Sequence, residues 1–584
     1  MAPLKEVEMV APTTEAEPEM VVEDDYSDKE LDVEEDIEGQ DETQTSSGLW
    51  ADMEQDCFSS WLWFLIIAYV CVFFALKALL HLWWIPRRFQ NHFCKQGING
   101  PSYNFLFGNL KEIASLSSSS QPMSLSHDIL PRVLSFYSHW KKIYGSTFVV
   151  WFGPTARVTI SDPALLREIF VVKSEYFEKN DSPPLVKKLE GDGLLSLKGE
   201  KWAHHRKIIT PTFYLENLKL MIPTMGKGVT EMLDKWSDMS KGGKVEIEVC
   251  QWFQSLAESV ITHMVFGSSY ERGRAIFELQ AQQMVYATEA FQKVFIPGYR
   301  FLPTKKNRIF WRLDKEVRKS LMKLIEERRV EGVSGECPKD LLEVMIKASS
   351  KEAKEENYYY KKVGGSNTNT NTAMLLLLSA DDIVEECKTI FFAGKHTTSN
   401  LLAWTTVLLA MHPRWQQLAR DEVLRVSGAR DTPSKHHLPN LKTLEMILKE
   451  SLRLYPPAVA TIRRAKEEVR LGELSVPAGT ELLIPIVAIH HDPALWGSDA
   501  HDFNPARFAR GLDQAAKHPM AFLPFGQGAR RCIGQNLAIL QAKLAIAIIL
   551  QRFSFHLSPS YQHAPTVSML LHPQYGAPII FQNL

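Results

Sequence analysis

The 584-residue chain is long enough for several average domains, although one large helical core can absorb most of that length. With 45% hydrophobic and 23% charged residues, its bulk is neither disordered nor fibrous. The formal net charge is −2, and no nucleic-acid partner is expected.

The near-neutral total conceals an asymmetry. Residues 1–56 hold 20 Asp/Glu and 2 Lys/Arg, a net −18, whereas the remainder holds 48 and 64, a net +16. So acidic a tail, with a single aromatic before Trp50, buries too little apolar area to offset its ordering entropy. It is expected to be a disordered, solvated extension rather than a binding tail. Residues 58–76 then run uncharged, and the apolar character continues past Lys77 and His81 to Ile85. As a helix this stretch crosses a hydrocarbon core of about 30 Å. Trp61, Trp63, Trp83 and Trp84 flank it as interfacial aromatics do, and Arg87 and Arg88 follow. The positive-inside rule puts the chain from Arg87 onward in the cytosol and the acidic tail in the lumen. A cleaved signal peptide would need a shorter apolar run nearer the N-terminus and a small-residue cleavage site. The expected organisation is a tail (1–56), one transmembrane anchor (57–85) and a large body (86–584).

After Gly97-Ile98-Asn99-Gly100-Pro101 the pattern is mixed. Short β-rich runs at 146–152 and 157–160 lie among long helical stretches, and 117–120 and 364–372 read as flexible loops. The longest helical candidate starts at Ser379-Ala380-Asp381-Asp382, a capping sequence with early acids, and stops at His412-Pro413. The body is therefore expected to be mainly α with a minor β region, an α+β fold. Seven cysteines occur without a CxxC, so structural zinc and thioredoxin-like readings fail on spacing. Reduced thiols in a cytosol-facing body leave one free to serve as a ligand.

Phe525-Gly526-Gln527-Gly528-Ala529-Arg530-Arg531-Cys532-Ile533-Gly534 precedes a helical run at 535–553. Glycines on both sides of Cys532 let the backbone approach a bulky planar ligand and aim N–H groups at the sulfur. The glycine spacing does not match a dinucleotide loop. The decapeptide resembles the haem-binding loop of cytochromes P-450, FxxGxRxCxG, at every defined position: Phe525, Gly528, Arg530, Cys532 and Gly534. Glu450-Ser451-Leu452-Arg453 is similar to the family's ExxR motif, and Phe503-Asn504-Pro505-Ala506-Arg507-Phe508 to its FxPxRF segment. The resemblance implies a cytochrome P-450 fold behind the anchor, haem b held by the Cys532 thiolate, and a buried triad of Glu450, Arg453 and Arg507. A thiolate ligand pushes electron density to the iron and favours O–O cleavage.

Ala393-Gly394-Lys395-His396-Thr397-Thr398 resembles the family's oxygen-binding motif. It implies that Ala393 and Gly394 leave room for dioxygen and that Thr397, with His396, relays protons. His396 stands where most members carry an acid. A damaged P-loop fails because no glycine precedes at the required distance. Trp202-Ala203-His204-His205-Arg206 is similar to the WxxxR helix, whose two ends reach a haem propionate. Arg463 and Arg530 are expected on the propionates as well. His490 and His491 are read as structural.

Residues 97–103, 395–402 and 455–465 resemble the plant clan that includes the brassinosteroid C-26 hydroxylases, whose members lack an acid before the catalytic Thr. This implies NADPH- and O2-dependent hydroxylation of a brassinosteroid side chain at the endoplasmic reticulum membrane. The body would face the cytosol with NADPH–cytochrome P-450 reductase as partner and a small hydrophobic substrate. Gibberellin, cytokinin or triterpenoid oxidation stays open, as do an oxygen-independent isomerase or dehydratase and a non-enzymatic haem sensor or membrane scaffold.

Overall fold

The computed structural model describes residues 46–116, 121–240, 242–292, 302–331, 340–350, 378–429 and 431–584. The loops expected at 117–120 and 364–372, and residues 1–45 of the tail, lie outside these. The chain divides into two compact units, one ending at Leu76 and the other running from Lys77 to Leu584.

The first long helix, Ser46–Leu79, starts inside the segment expected to be disordered. The reason is local. No Pro or Gly stands between Ala51 and Phe58, and once the apolar run has nucleated a helix, each added residue costs little. A π-helical turn, Leu80–Trp84, leads into Ile85–Lys95, so helical backbone continues ten residues past the expected boundary at Ile85. Trp61–Lys95 is long and apolar enough to cross a membrane, and none of its apolar window is buried in protein. Trp61, Phe64 and Tyr69 are 67%, 71% and 72% exposed, an apolar surface better suited to lipid than to water. At the C-terminal end Arg87 lies 3.9 Å over the Trp83 ring, and the Tyr103 hydroxyl donates to the Leu82 carbonyl at 2.5 Å.

In the body, the expected β-rich runs become a hairpin of Val149–Phe152 and Thr155–Thr159, turned at Gly153 with φ +58°. Thr155–Thr159 pairs in parallel with Glu481–Ile484, which pairs antiparallel with Thr461–Ala465, and that strand with Phe177–Lys179. Three smaller sheets complete the β region among the described residues.

The rest is helical, and one helix organises it. Ser379 caps Ala380–Met411 through a full capping box with Asp382. The helix ends where Pro413 opens the next one, Pro413–Ser427. Leu401, Leu402, Trp404, Val407 and Leu408 are essentially inaccessible, so this helix threads the core rather than lying on it. It packs on Val249–Phe266, Lys442–Leu454 and Gln535–Arg552. Trp404 stacks on Tyr455 with ring centroids 4.2 Å apart. Three helices thus hold the cysteine loop, the ExxR sequence and the Ala393–Thr397 segment around one core.

Candidate active site

The cysteine loop is set by backbone chemistry. The Cys532 N–H donates to the Phe525 carbonyl at 2.9 Å, closing the loop just before helix Gln535–Arg552. Gly528 has φ +71°, and a Cβ there would lie 1.9 Å from the Phe170 carbonyl oxygen. Only glycine fits. Gly534 is different: a Cβ would make ordinary contacts, one of them 4.0 Å from the Cys532 sulfur. Burial pushes the Cys532 thiol up, opposed by the Gly534 and Gln535 N–H groups and by Arg206 and Arg531. Yet the residue has an accessible surface. Both hold for a sulfur set in a recess, enclosed on most sides and open on one.

Four cations gather around this loop. Arg206, on helix Gly199–Ile209, donates to the Arg531 carbonyl at 2.8 Å. The Arg530 guanidinium lies 4.2 Å over the Trp202 ring and donates to the Leu197 carbonyl at 2.7 Å. Trp202 thereby serves as a platform for Arg530, while Arg206 is 6.0 Å from its ring. Arg463 sits 5.0 Å over Phe170. The fourth is Lys179, paired with Arg463 across neighbouring strands. Burial pulls Arg463 and Arg530 down to about 10, and each arginine is pressed further by another. Lys179 falls to about 8 through burial, with Glu190 opposing and Arg463 and Arg530 adding to the fall. Among the described residues none of the four has a carboxylate within ion-pair distance. So many crowded cations without an ion-paired carboxylate suit a ligand bringing its own carboxylates, and an open sulfur beside them suits an iron. The donor set fits haem.

Behind the cysteine loop the ExxR helix and the FxPxRF segment meet. Arg453 donates to both Glu450 oxygens, at 2.8 and 2.9 Å, and Arg507 donates to Glu450 Oε1 at 3.0 Å. Arg453 also donates to the carbonyls of His490, Ala500 and Asp502. Glu450 and Arg453 are fully buried and Arg507 nearly so. The surface-pair geometry that ExxR has on most helices is excluded.

On the core helix, the Thr397 hydroxyl donates to the Ala393 carbonyl at 2.7 Å. The helix is not broken there. Gly394 also serves packing: a Cβ would lie 2.7 Å from Ile261 Cδ1, so its missing side chain lets helix Val249–Phe266 approach. Of the small pair, Ala393 is the residue left open. Lys395 turns away to a buried ion pair with Glu258. Burial holds the His396 imidazole down to about 4, with Lys395 and His572 adding to the effect. It is therefore neutral at physiological pH. It can accept a proton but hardly stores one, which weakens the relay expected of it.

Lys179 was invisible in the sequence because its place depends on strand register. No local spacing links it to Arg463, 284 positions later.

The Cytochrome P450 family model matches residues 128–580. The chain is 60% identical over 546 residues to Cytochrome P450 734A1 of Arabidopsis thaliana, covering 91% of this chain and 99% of that protein. It is 56% identical over 520 residues to Cytochrome P450 734A6 of Oryza sativa subsp. japonica, covering 87% and 94%. A more distant relative, Cytochrome P450 72A397 of Kalopanax septemlobus, is 43% identical over 514 residues, covering 87% and 95%. With the sulfur, the cations and the buried triad already in one place, these matches settle the assignment: the chain belongs to the cytochrome P450 family of haem-thiolate monooxygenases.

Proposed function

We propose that the chain hydroxylates the side chain of a brassinosteroid, using NADPH and O2, with Cys532 as the thiolate that holds the haem iron. Arg206, Arg463 and Arg530 hold the propionates, and Lys179 adds a fourth charge. The bond from Thr397 to Ala393 is the observation that carries the monooxygenase reading. When bound, haem supplies the activation of dioxygen, and one oxygen atom enters the substrate. The protein's part is to place charge and protons. With its hydrogen given to Ala393, the Thr397 oxygen keeps lone pairs free to accept a second hydrogen bond. Rotation of the hydroxyl hydrogen about the Cβ–Oγ1 bond lets the same group donate in another direction, so a proton can pass along it. An isomerase or dehydratase has no use for this hydroxyl, which favours the monooxygenase.

The steroid assignment rests on the motif resemblance at 97–103, 395–402 and 455–465. It is supported by an apolar stretch, Val459-Ala460-Thr461-Ile462, leading into the strand that carries Arg463. Incubation of the reconstituted enzyme with castasterone or brassinolide is expected to give a product heavier by one oxygen on the side chain. Efficient oxidation of a gibberellin or cytokinin, with no steroid turnover, overturns the substrate while sparing the haem-thiolate chemistry.

Electrons are proposed to come from NADPH–cytochrome P-450 reductase. A groove of about 490 Å³ beside the cysteine loop, edged by Lys435, Lys442 and Arg531, suits an acidic partner. The proposed setting is the endoplasmic reticulum, with residues 57–85 spanning, residues 86–584 in the cytosol and the acidic tail in the lumen. Protease treatment of sealed microsomes is expected to digest the body and spare the tail. The reverse pattern contradicts the orientation.

A further inference from the structure

A second donor cluster lies outside the cysteine loop and its cations. His491, read from sequence as merely structural, follows helix Ile486–His490 and is 2% exposed. Its Nε2 lies 2.9 Å from the Leu454 carbonyl oxygen. A carbonyl only accepts, so Nε2 carries the hydrogen and Nδ1 presents a lone pair. That Nδ1 is buried and has no hydrogen-bond partner. Burial, and then Arg453, hold the imidazole well below its usual range, in the neutral form that binds metals.

Two further donors face it. His501 Nδ1 is likewise a buried atom without a hydrogen-bond partner and lies 3.8 Å from Asp128 Oδ1. The two imidazole rings meet edge-on with centroids 5.7 Å apart. One ligating atom from each of Asp128, His491 and His501 falls within 4.8 Å of the others. A buried imidazole nitrogen without a partner is costly by itself, and a second one facing it across a few ångströms suits a shared partner. Bound to an ion at the usual metal–ligand distance of about 2.1 Å, tetrahedral ligands sit roughly 3.4 Å apart. The remaining gap is closed by His501 and Asp128, whose side chains are 39% and 49% exposed and free to adjust. His491, locked to Leu454, is the fixed point.

We propose that Asp128, His491 and His501 bind one divalent transition-metal ion of the zinc class. Two imidazole nitrogens and one carboxylate are the donor chemistry that such ions prefer, whereas magnesium and calcium favour all-oxygen sites. The consequence for the fold is specific. His501 stands between Ala500 and Asp502, whose carbonyls both hold Arg453, and His491 is tied to the residue after Arg453. A bound ion therefore staples the 500–502 loop and residue 128 to the base of the Glu450–Arg453 network.

The test uses the full-length holoenzyme, stripped with a chelator and dialysed against Zn2+. Zinc per chain is read by atomic emission, with haem iron as the internal standard. One zinc per haem is expected in the native protein. Asp128→Asn and His501→Ala, both outside the haem contacts, are each expected to bind zinc at least tenfold more weakly. Zinc, but not Mg2+ or Ca2+, is expected to raise the thermal unfolding midpoint of the native protein and not of the variants. Uptake unchanged in the double variant, uptake at buffer background in the native protein, or displacement by Mg2+ or Ca2+ each overturns the proposal. The haem absorbance of each variant establishes that it is folded.

Discussion

Replacing Glu450 by alanine is expected to leave little haem-loaded protein. The carboxylate takes two bonds from Arg453, one from Arg507 and one from the Asn504 N–H, all in a region closed to water. Its removal strands two guanidinium groups whose remaining partners are carbonyls and Asp499, the latter reaching Arg507 alone. Breaking a buried ion pair from one side costs about 3–5 kcal/mol. Domains are stable by only about 5–15 kcal/mol, so much of the margin disappears. Glu450→Gln, which keeps one acceptor oxygen, is expected to lie between the two. The ratio of haem absorbance to protein and the thermal midpoint measure the effect. Full haem occupancy at an unchanged midpoint would mean that the network contributes nothing to holding the fold around the cofactor.

The second large effect is on turnover. Thr397→Ala is expected to bind haem and substrate normally, because the hydroxyl's one bond is to a carbonyl of its own helix. What it loses is proton delivery, typically worth about 10²–10⁴-fold. Hydroxylation is expected to fall by that order while NADPH consumption continues and hydrogen peroxide is released. His396→Ala is expected to do less, since the imidazole is held neutral down to about pH 4 and offers no stored proton near neutrality. Accordingly, the pH profile of the native enzyme is expected to show no His396 breakpoint between pH 5 and 8. Coupled product formation in Thr397→Ala at the native rate contradicts the relay.

The parts of the site legible in the sequence are those whose geometry is local. Cys532 and its glycines lie within ten residues, and Thr397 meets Ala393 one helical turn away. The helix Ala380–Met411 was readable because its cap and its terminating proline are short-range signals. Spacing could not reach Lys179, whose neighbour Arg463 is brought in by strand register, or Gly394, whose role depends on Ile261 from another helix. The same limit applied to His491. Only the folded chain puts His501 and Asp128 beside it. At the N-terminus composition argued for disorder through residue 56, and the helix that carries the apolar run begins at Ser46, since helix propagation from an apolar nucleus is a cooperative effect that composition does not weigh.

The identity of the iron ligand underlies the whole account, and the ferrous–CO absorption spectrum reads it directly. The native protein is expected to show the long-wavelength Soret band of thiolate ligation. Cys532→Ala is expected to lose it, even in molecules that still hold haem. A normal thiolate band in Cys532→Ala would place the ligand on another cysteine and contradict the assignment.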